Sequence, residues 1–91
     1  MDVRHEPDRN RFVVHLPSGD AELIYADLGN GVLEFLTTYT PPAERGKGVA
    51  AHLVATAVRY AREQGLRIVP SCWYVRDWLA AHPEERDLVS A

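Results

Sequence analysis

From Arg11 the chain alternates in character through Phe12-Val13-Val14-His15-Leu16, a run rich in β-formers, and Pro17-Ser18-Gly19-Asp20 follows as a turn. The next run, Ala21 to Leu28, sets Ala21, Leu23 and Tyr25 on one face at period two. It stops at Gly29-Asn30-Gly31, where Asn-Gly is a strong hairpin signal. A third run, Val32 to Thr40, is dominated by β-branched and aromatic residues, and neither proline of Pro41-Pro42 can extend its ladder. Three such strands with short connections predict an antiparallel meander. The period then changes. Val49, Leu53, Val54, Ala57, Val58 and Ala61 recur at three- and four-residue steps between Lys47 and Gln64, the apolar stripe of an amphipathic helix, and Gly65 suits its C-terminal cap. Leu66-Arg67-Ile68-Val69, closed by Pro70, reads as a buried strand, parallel to the one before the helix by the crossover rule. Ser71 is placed to cap a second helix from Cys72 to Ala81, which His82-Pro83 stops. The element order is βββαβα, an α/β chain with a mixed sheet (α+β in its meander).

Composition narrows the class. The 91 residues suit one small domain spanning 1–91, in which a single core must supply most of the stability. A hydrophobic fraction of 46% argues against disorder, and a net charge of −3 without a basic cluster lacks the footprint of a nucleic-acid binder. No apolar run approaches the roughly 18 residues a membrane span needs. Met1 to Glu6 shows no charged-then-apolar leader, so no secretory signal is expected and the expected location is cytoplasmic. One cysteine cannot form an internal disulfide, and His5, His15, His52 and His82 do not follow ligand spacing, so no metal is expected.

The segment with chemical content is Pro41-Pro42-Ala43-Glu44-Arg45-Gly46-Lys47-Gly48-Val49-Ala50, between the third strand and the first helix. First-turn amides of a helix lack intrahelical partners and sit at the positive end of the macrodipole. Glycines there allow a phosphate close to the backbone, and Arg45 and Lys47 add cationic donors at the rim. These features describe a diphosphate site. The spacing is neither that of a Walker loop nor a full Gly-x-Gly-x-x-Gly fingerprint, since Ala51 stands at the third glycine. The competing reading is that the glycines only turn the chain into the helix.

Arg45-Gly46-Lys47-Gly48-Val49-Ala50 resembles the Arg/Gln-x-x-Gly-x-Gly/Ala signature of the GCN5-related N-acetyltransferases. The chain is similar in particular to their very small single-domain branch, the N-acetyltransferase domain-containing protein 1-like group. Gly19 to Leu23 with Tyr25, the Pro41 to Ala50 loop, Val69 to Val75 and His82-Pro83-Glu84 carry that likeness along nearly the whole chain. The resemblance implies a minimal acyl-CoA N-acyltransferase fold in which two parallel strands, Val32–Thr40 and Leu66–Pro70, splay apart to admit the pantetheine arm of acetyl-CoA. It implies that main-chain groups of Thr38, Tyr39 and Thr40 bond that arm as an added strand would. The amides from Arg45 through Gly46, Lys47, Gly48 and Val49 to Ala50 would take the pyrophosphate.

Acyl transfer from a thioester to an amine needs a deprotonated amine, a polarised carbonyl and a protonated leaving thiolate; alternatively a cysteine accepts the acyl group first. Cys72 is the candidate for that role, because a helix N-terminus favours thiolate and the small branch carries a cysteine near the carrier's sulfur. A free cysteine is also a common small apolar filler, and direct transfer needs none. Glu34, mid-strand, is a candidate base acting through water, or a solvated strand residue. His82 suits a helix stop whose ring bonds a carbonyl better than an acid–base role, and His52 reads as helix surface. Trp73, Tyr74 and Trp78 fit anchors of the last helix on the sheet; their alternative is to stack on adenine or border an acceptor pocket. Tyr39 lies beside the pantetheine path.

The resemblance departs from larger relatives in having little room for a leading helix pair or further C-terminal strands, which build the acceptor pocket. A shallow or exposed groove suits an amine on a protein or a polyamine, with the chain a monomer or weak homodimer. The expected activity is acetyl-CoA-dependent N-acetyl transfer to an unidentified amine. The alternatives are a weakly catalytic or non-catalytic acyl-CoA-binding module and, from the Gly-x-Gly alone, an unrelated nucleotide-binding module.

Overall fold

The computed structural model describes residues 1–90. Five strands form one sheet in sequence order: β1 (Arg4–Glu6), β2 (Arg11–Leu16), β3 (Gly19–Gly29), β4 (Val32–Tyr39) and β5 (Arg67–Pro70). The first three neighbour pairs are antiparallel and β4–β5 is parallel, joined through helix α1 (Val49–Glu63). Helix α2 (Trp73–Ala81) follows β5, and a 3₁₀ stretch, Pro83–Leu88, leads to Val89, which bridges in parallel to Ile68.

The meander, both helices and the parallel pair stand where the residue pattern predicts them. Asn30 and Gly31 both take positive φ, 54° and 76°, as the tight turn between β3 and β4 requires. At the end of α1, Gly65 sits at φ +68° while Leu66 N–H donates to the Ala61 carbonyl at 2.8 Å and Gly65 N–H to that of Arg62 at 3.2 Å. That is the paired closure by which a left-handed C′ glycine satisfies the last carbonyls.

The strand pattern does not reveal β1, so the order is ββββαβα. Three residues carry no readable period; β1 exists because Arg4, His5 and Glu6 pair with Val13, Phe12 and Arg11 and because His5 stacks on Phe12 at 4.3 Å. Nor does the pattern reveal a bulge at Leu36. Ile24 pairs with Thr37 and Tyr25 with Phe35, leaving Leu36 unmatched and reversing the facing of β4 beyond it.

One continuous cluster holds the fold. Phe12, Val14, Leu23, Leu33 and Phe35 share it with every buried residue of α1 and α2, and Ile68, Cys72 and Leu88 belong to it too. The alternate positions of the sheet carry charge instead: Arg11, only 12% exposed, donates to Glu6 at 2.6 Å and Glu22 at 2.8 Å and lies 3.6 Å from Asp20. At the far end of α1, Arg62 clamps the C-terminal stretch through Glu85 at 2.7 Å and Asp87 at 2.8 Å.

These groups give stability an acid limb in two stages. Half-buried His5 shares a 2.6 Å hydrogen bond with the Tyr25 hydroxyl, and burial pushes its pKa below the usual 6.5. The unfolded chain therefore protonates first, and stability present above pH 6.5 declines as the pH falls through the folded value. Glu6 (held down by Arg11), Asp20 (by His15) and Asp87 (by Arg62) act at lower pH. Their stabilisation is complete above the ordinary carboxylate range and is lost on titration below it. Melting temperature should thus begin to fall between pH 7 and 5.5, and His5→Gln should flatten that first stage only. A wild-type melting temperature constant to pH 5 would refute the His5 assignment.

Candidate functional site

The site is made by a divergence. The parallel ladder ends at Phe35–Pro70, after which β5 gives way to Ser71 while β4 runs on to Tyr39. Cys72 N–H donates to the Phe35 carbonyl at 3.0 Å, tying the start of α2 to the point of separation. From Leu36 to Tyr39 the β4 edge turned away from β3 therefore has no strand partner.

Beyond that point opens a cleft of about 610 Å³ lined by Thr38, Tyr39 and Thr40 from β4 and its continuation, Glu44 to Gly46 and Gly48 to Ala50 from the loop and α1, and Trp73 and Tyr74 from α2. Eight of the nine residues expected around a coenzyme meet there. The exception is Lys47, whose ammonium points to Glu44 Oε1 at 3.2 Å and is absent from the lining. Arg45 lines the cleft, with Nε donating to the Thr40 carbonyl at 3.0 Å.

Gly46 and Gly48 adopt φ +82° and +81°, with Gly48 as the N-cap of α1. No protein atom lies within 4 Å of a Cβ built on either, so the demand for glycine comes from backbone conformation as well as any approaching ligand. The first helical bond of α1 is His52 N–H to the Gly48 carbonyl at 3.0 Å. Among the described residues, the six amides from Gly46 to Ala51 donate to no protein acceptor. A run of free amides with alternating left-handed glycines at a helix N-terminus forms a concave anion receptor. Thr40, which lines the same cleft, has its hydroxyl buried without a partner. Both features fit a ligand with phosphates at one end and polar amide groups along its arm.

Ser71 does not cap α2. Its hydroxyl donates to the Glu34 carboxylate across the fork, and Cys72 takes the N-cap position with no side-chain cap bond. Arg76 holds the entry to the helix by donating to the carbonyls of Pro70 at 3.2 Å and Ser71 at 2.8 Å. Cys72 is 6% exposed, belongs to the core cluster and lies with Sγ 3.6 Å from Thr38 Oγ1. Glu34 and Cys72 flank the fork, and neither lines the main cleft.

The aromatic residues divide. Trp78 packs against the core, and the His82 ring stacks on it at 3.8 Å while Nδ1–H donates to the Trp78 carbonyl at 2.7 Å, as a helix stop requires. Tyr74 is half-buried against the core and lines the cleft as well. Trp73 is no anchor: it is 66% exposed at the cleft wall. Helical spacing separates these roles: Val75, Trp78 and Leu79 recur at i, i+3 and i+4, whereas Trp73, two residues before Val75, falls about 200° around the helix, a signal that sequence reasoning missed. Glu44 is the lining residue that sequence reasoning missed; its place before Arg45-Gly46 is the available signal. Among the described residues no group of three or more His, Cys, Asp or Glu side chains is placed to hold a metal ion, and no helix is long and apolar enough to cross a membrane.

Comparison with known proteins gives likenesses of family and of fold. Protein NATD1 of Bos taurus is 32% identical over 83 residues, covering 89% of this chain and 74% of its own. That of Homo sapiens is 31% identical over 83 residues, with the same two coverages of 89% and 74%. The solution structure of a GCN5-like protein from Staphylococcus aureus superposes with a TM-score of 0.72 over 99% of this chain and 88% of that one, at 21% identity, a likeness of fold. The family model for the GCN5-related N-acetyltransferases spans residues 11–88, from the start of β2 through the amide-lined loop to the clamp beyond α2, and the chain belongs to that family.

Proposed function

We propose that this protein binds acetyl-CoA in the cleft between β4 and the start of α1 and transfers its acyl group to an amine. The observation that carries the reading is the run of six unpartnered amides, Gly46 to Ala51, in one cleft with the free edge of β4 and the orphaned Thr40 hydroxyl. The amides and Arg45 would hold the diphosphate, and main-chain groups of Thr38, Tyr39 and Thr40 would pair with the arm as an added strand does.

The arm's direction along β4 leads toward Thr38, Cys72 and Glu34. Glu34, on the sheet face opposite the helices, is the group on this chain suited to take the amine's proton, directly or through water, with Ser71 fixing its carboxylate. The amine nitrogen forms the new bond to the carbonyl carbon as the carbon–sulfur bond breaks, and the departing sulfur takes up a proton. In the alternative route Cys72 Sγ accepts the acyl group first and passes it to the amine. The acceptor class that suits an open sheet face is a lysine side chain or polyamine.

A second reading is a coenzyme-binding module with little or no turnover. It is favoured by the cleft lining, where Glu44 is the one carboxylate and is already engaged by Lys47 and Ser18. Calorimetry with acetyl-CoA, followed by thiol release against an amine panel, separates the readings. Binding with amine-dependent thiol release is expected; binding without release would favour the second, and no binding at millimolar concentration would end both. Cys72→Ala should keep coenzyme binding and lower turnover, with an acyl adduct on the wild-type chain by mass spectrometry. Full turnover in that variant without any wild-type adduct would remove Cys72 from the mechanism.

A further inference from the structure

An anion receptor with its own carboxylate in the wall is an unexpected combination. Glu44 lines the cleft two residues before the first of the six free amides, and its side chain is only 12% exposed. Ser18 Oγ, from the turn between β2 and β3, donates to Oε2 at 2.9 Å, and Lys47 Nζ donates to Oε1 at 3.2 Å. Lys47 is thereby drawn away from the lining, with its own side chain 63% exposed. The other loop cation, Arg45, is engaged by the Thr40 carbonyl. The loop thus has its amides free and its nearest ammonium neutralised.

Bracing alone does not call for a charge. The hairpin turn already lies against the loop, with Gly19 beside Pro41, and Glu44 N–H and Arg45 N–H close the short 3₁₀ turn on Pro41 and Pro42 at 2.9 and 3.3 Å. A neutral amide would accept from Ser18 equally well. The carboxylate adds an anion beside a receptor for anions, and Ser18 and Lys47 hold it below the ordinary carboxylate range, so it stays charged at neutral pH. An incoming phosphate must overcome that repulsion, and it also offers Lys47 a stronger anionic partner.

We propose that Glu44 is a counter-charge built into the phosphate loop, holding Lys47 until a diphosphate takes it over and so weakening and tuning the cleft's affinity for its phosphate-bearing ligand. This inference rests on the coenzyme A reading given above and adds a residue that sets affinity without touching the acyl chemistry. Such a device favours release of the spent coenzyme.

The test is calorimetric titration of coenzyme A and of pantetheine, which lacks the diphosphate, into the wild-type chain, Glu44→Gln and Ser18→Ala. Glu44→Gln keeps an acceptor for Ser18 and removes only the charge. It should bind coenzyme A roughly three- to tenfold more tightly at low salt, with the gain shrinking as salt rises and pantetheine affinity unchanged. Ser18→Ala keeps the charge and should bind coenzyme A no more tightly than wild type. Coenzyme A affinity that is unchanged or weaker in Glu44→Gln would overturn the counter-charge while leaving the coenzyme reading intact. Equal tightening in Ser18→Ala would also overturn it, since release of the loop would then be the cause. Absence of coenzyme A binding by all three chains would overturn the coenzyme reading and this inference together.

Discussion

Replacing Gly48 with valine is expected to abolish most coenzyme A binding while leaving the sheet folded. Gly48 stands at φ +81° as the N-cap of α1, a conformation that costs an L-residue roughly 1–2 kcal/mol and a β-branched one most. Beyond its chain neighbours no protein atom lies within 4 Å of the position its Cβ would occupy, so the folded chain meets backbone strain without a clash at Cβ. For a domain of this size that strain should lower the melting temperature by about 5–15 °C. The bound ligand meets something different. The added side chain stands in the wall of the cleft, among amides that hold a phosphate only if it can approach the backbone. A loss of at least about tenfold in affinity follows if even one charge-assisted amide contact is prevented. Calorimetry and thermal melts on the same sample separate the two effects. Wild-type affinity for coenzyme A in the Gly48→Val chain would mean that the diphosphate does not sit on this loop. Gly46→Ala, at φ +82° with equally open surroundings, should show a milder form of both changes.

The elements most legible in the sequence were those whose signals are local. The six-residue apolar stripe of α1, the Asn30-Gly31 turn and the stop at Pro41-Pro42 each encode their structure within a few positions, and the paired loop glycines mark the junction of strand and helix. What was illegible depends on partners far along the chain. β1 is a strand because of Phe12 and its neighbours, and Leu36 becomes a bulge because Ile24 and Tyr25 pair past it. The same holds inside the site. Ser71 has the chemistry of a helix cap, yet Glu34 on the neighbouring strand captures its hydroxyl, and Cys72 rather than Ser71 stands at the boundary. Lys47 carries the right charge for a phosphate, but Glu44 at i−3 holds it aside. Trp73 shows the limit of hydrophobicity as a guide: it is apolar, but two residues before buried Val75 it falls on the opposite side of α2 and becomes an exposed wall of the cleft.

Phe35→Ala should cost more stability than any other change considered, because Phe35 sits where the sheet divides. Its ring is fully buried, its strand neighbours are Tyr25 on β3 and Pro70 on β5, and its carbonyl receives the Cys72 amide at 3.0 Å. Truncating a buried phenylalanine loses its transfer free energy and leaves a cavity, together about 3–5 kcal/mol. A chain of this length holds only about 5–14 kcal/mol in total, so from about a fifth to nearly all of its stability would go. The melting temperature should drop by roughly 15–30 °C. The next residue provides the control. Leu36 is the bulge, 41% exposed and unmatched on β3, so Leu36→Ala should change stability by no more than about 0.5 kcal/mol. The contrast between adjacent positions tests the register itself, since a strand shifted by one residue would bury Leu36 and expose Phe35. Comparable destabilisation in the two variants would therefore contradict the register of β4, in which Phe35 faces the core and Leu36 does not.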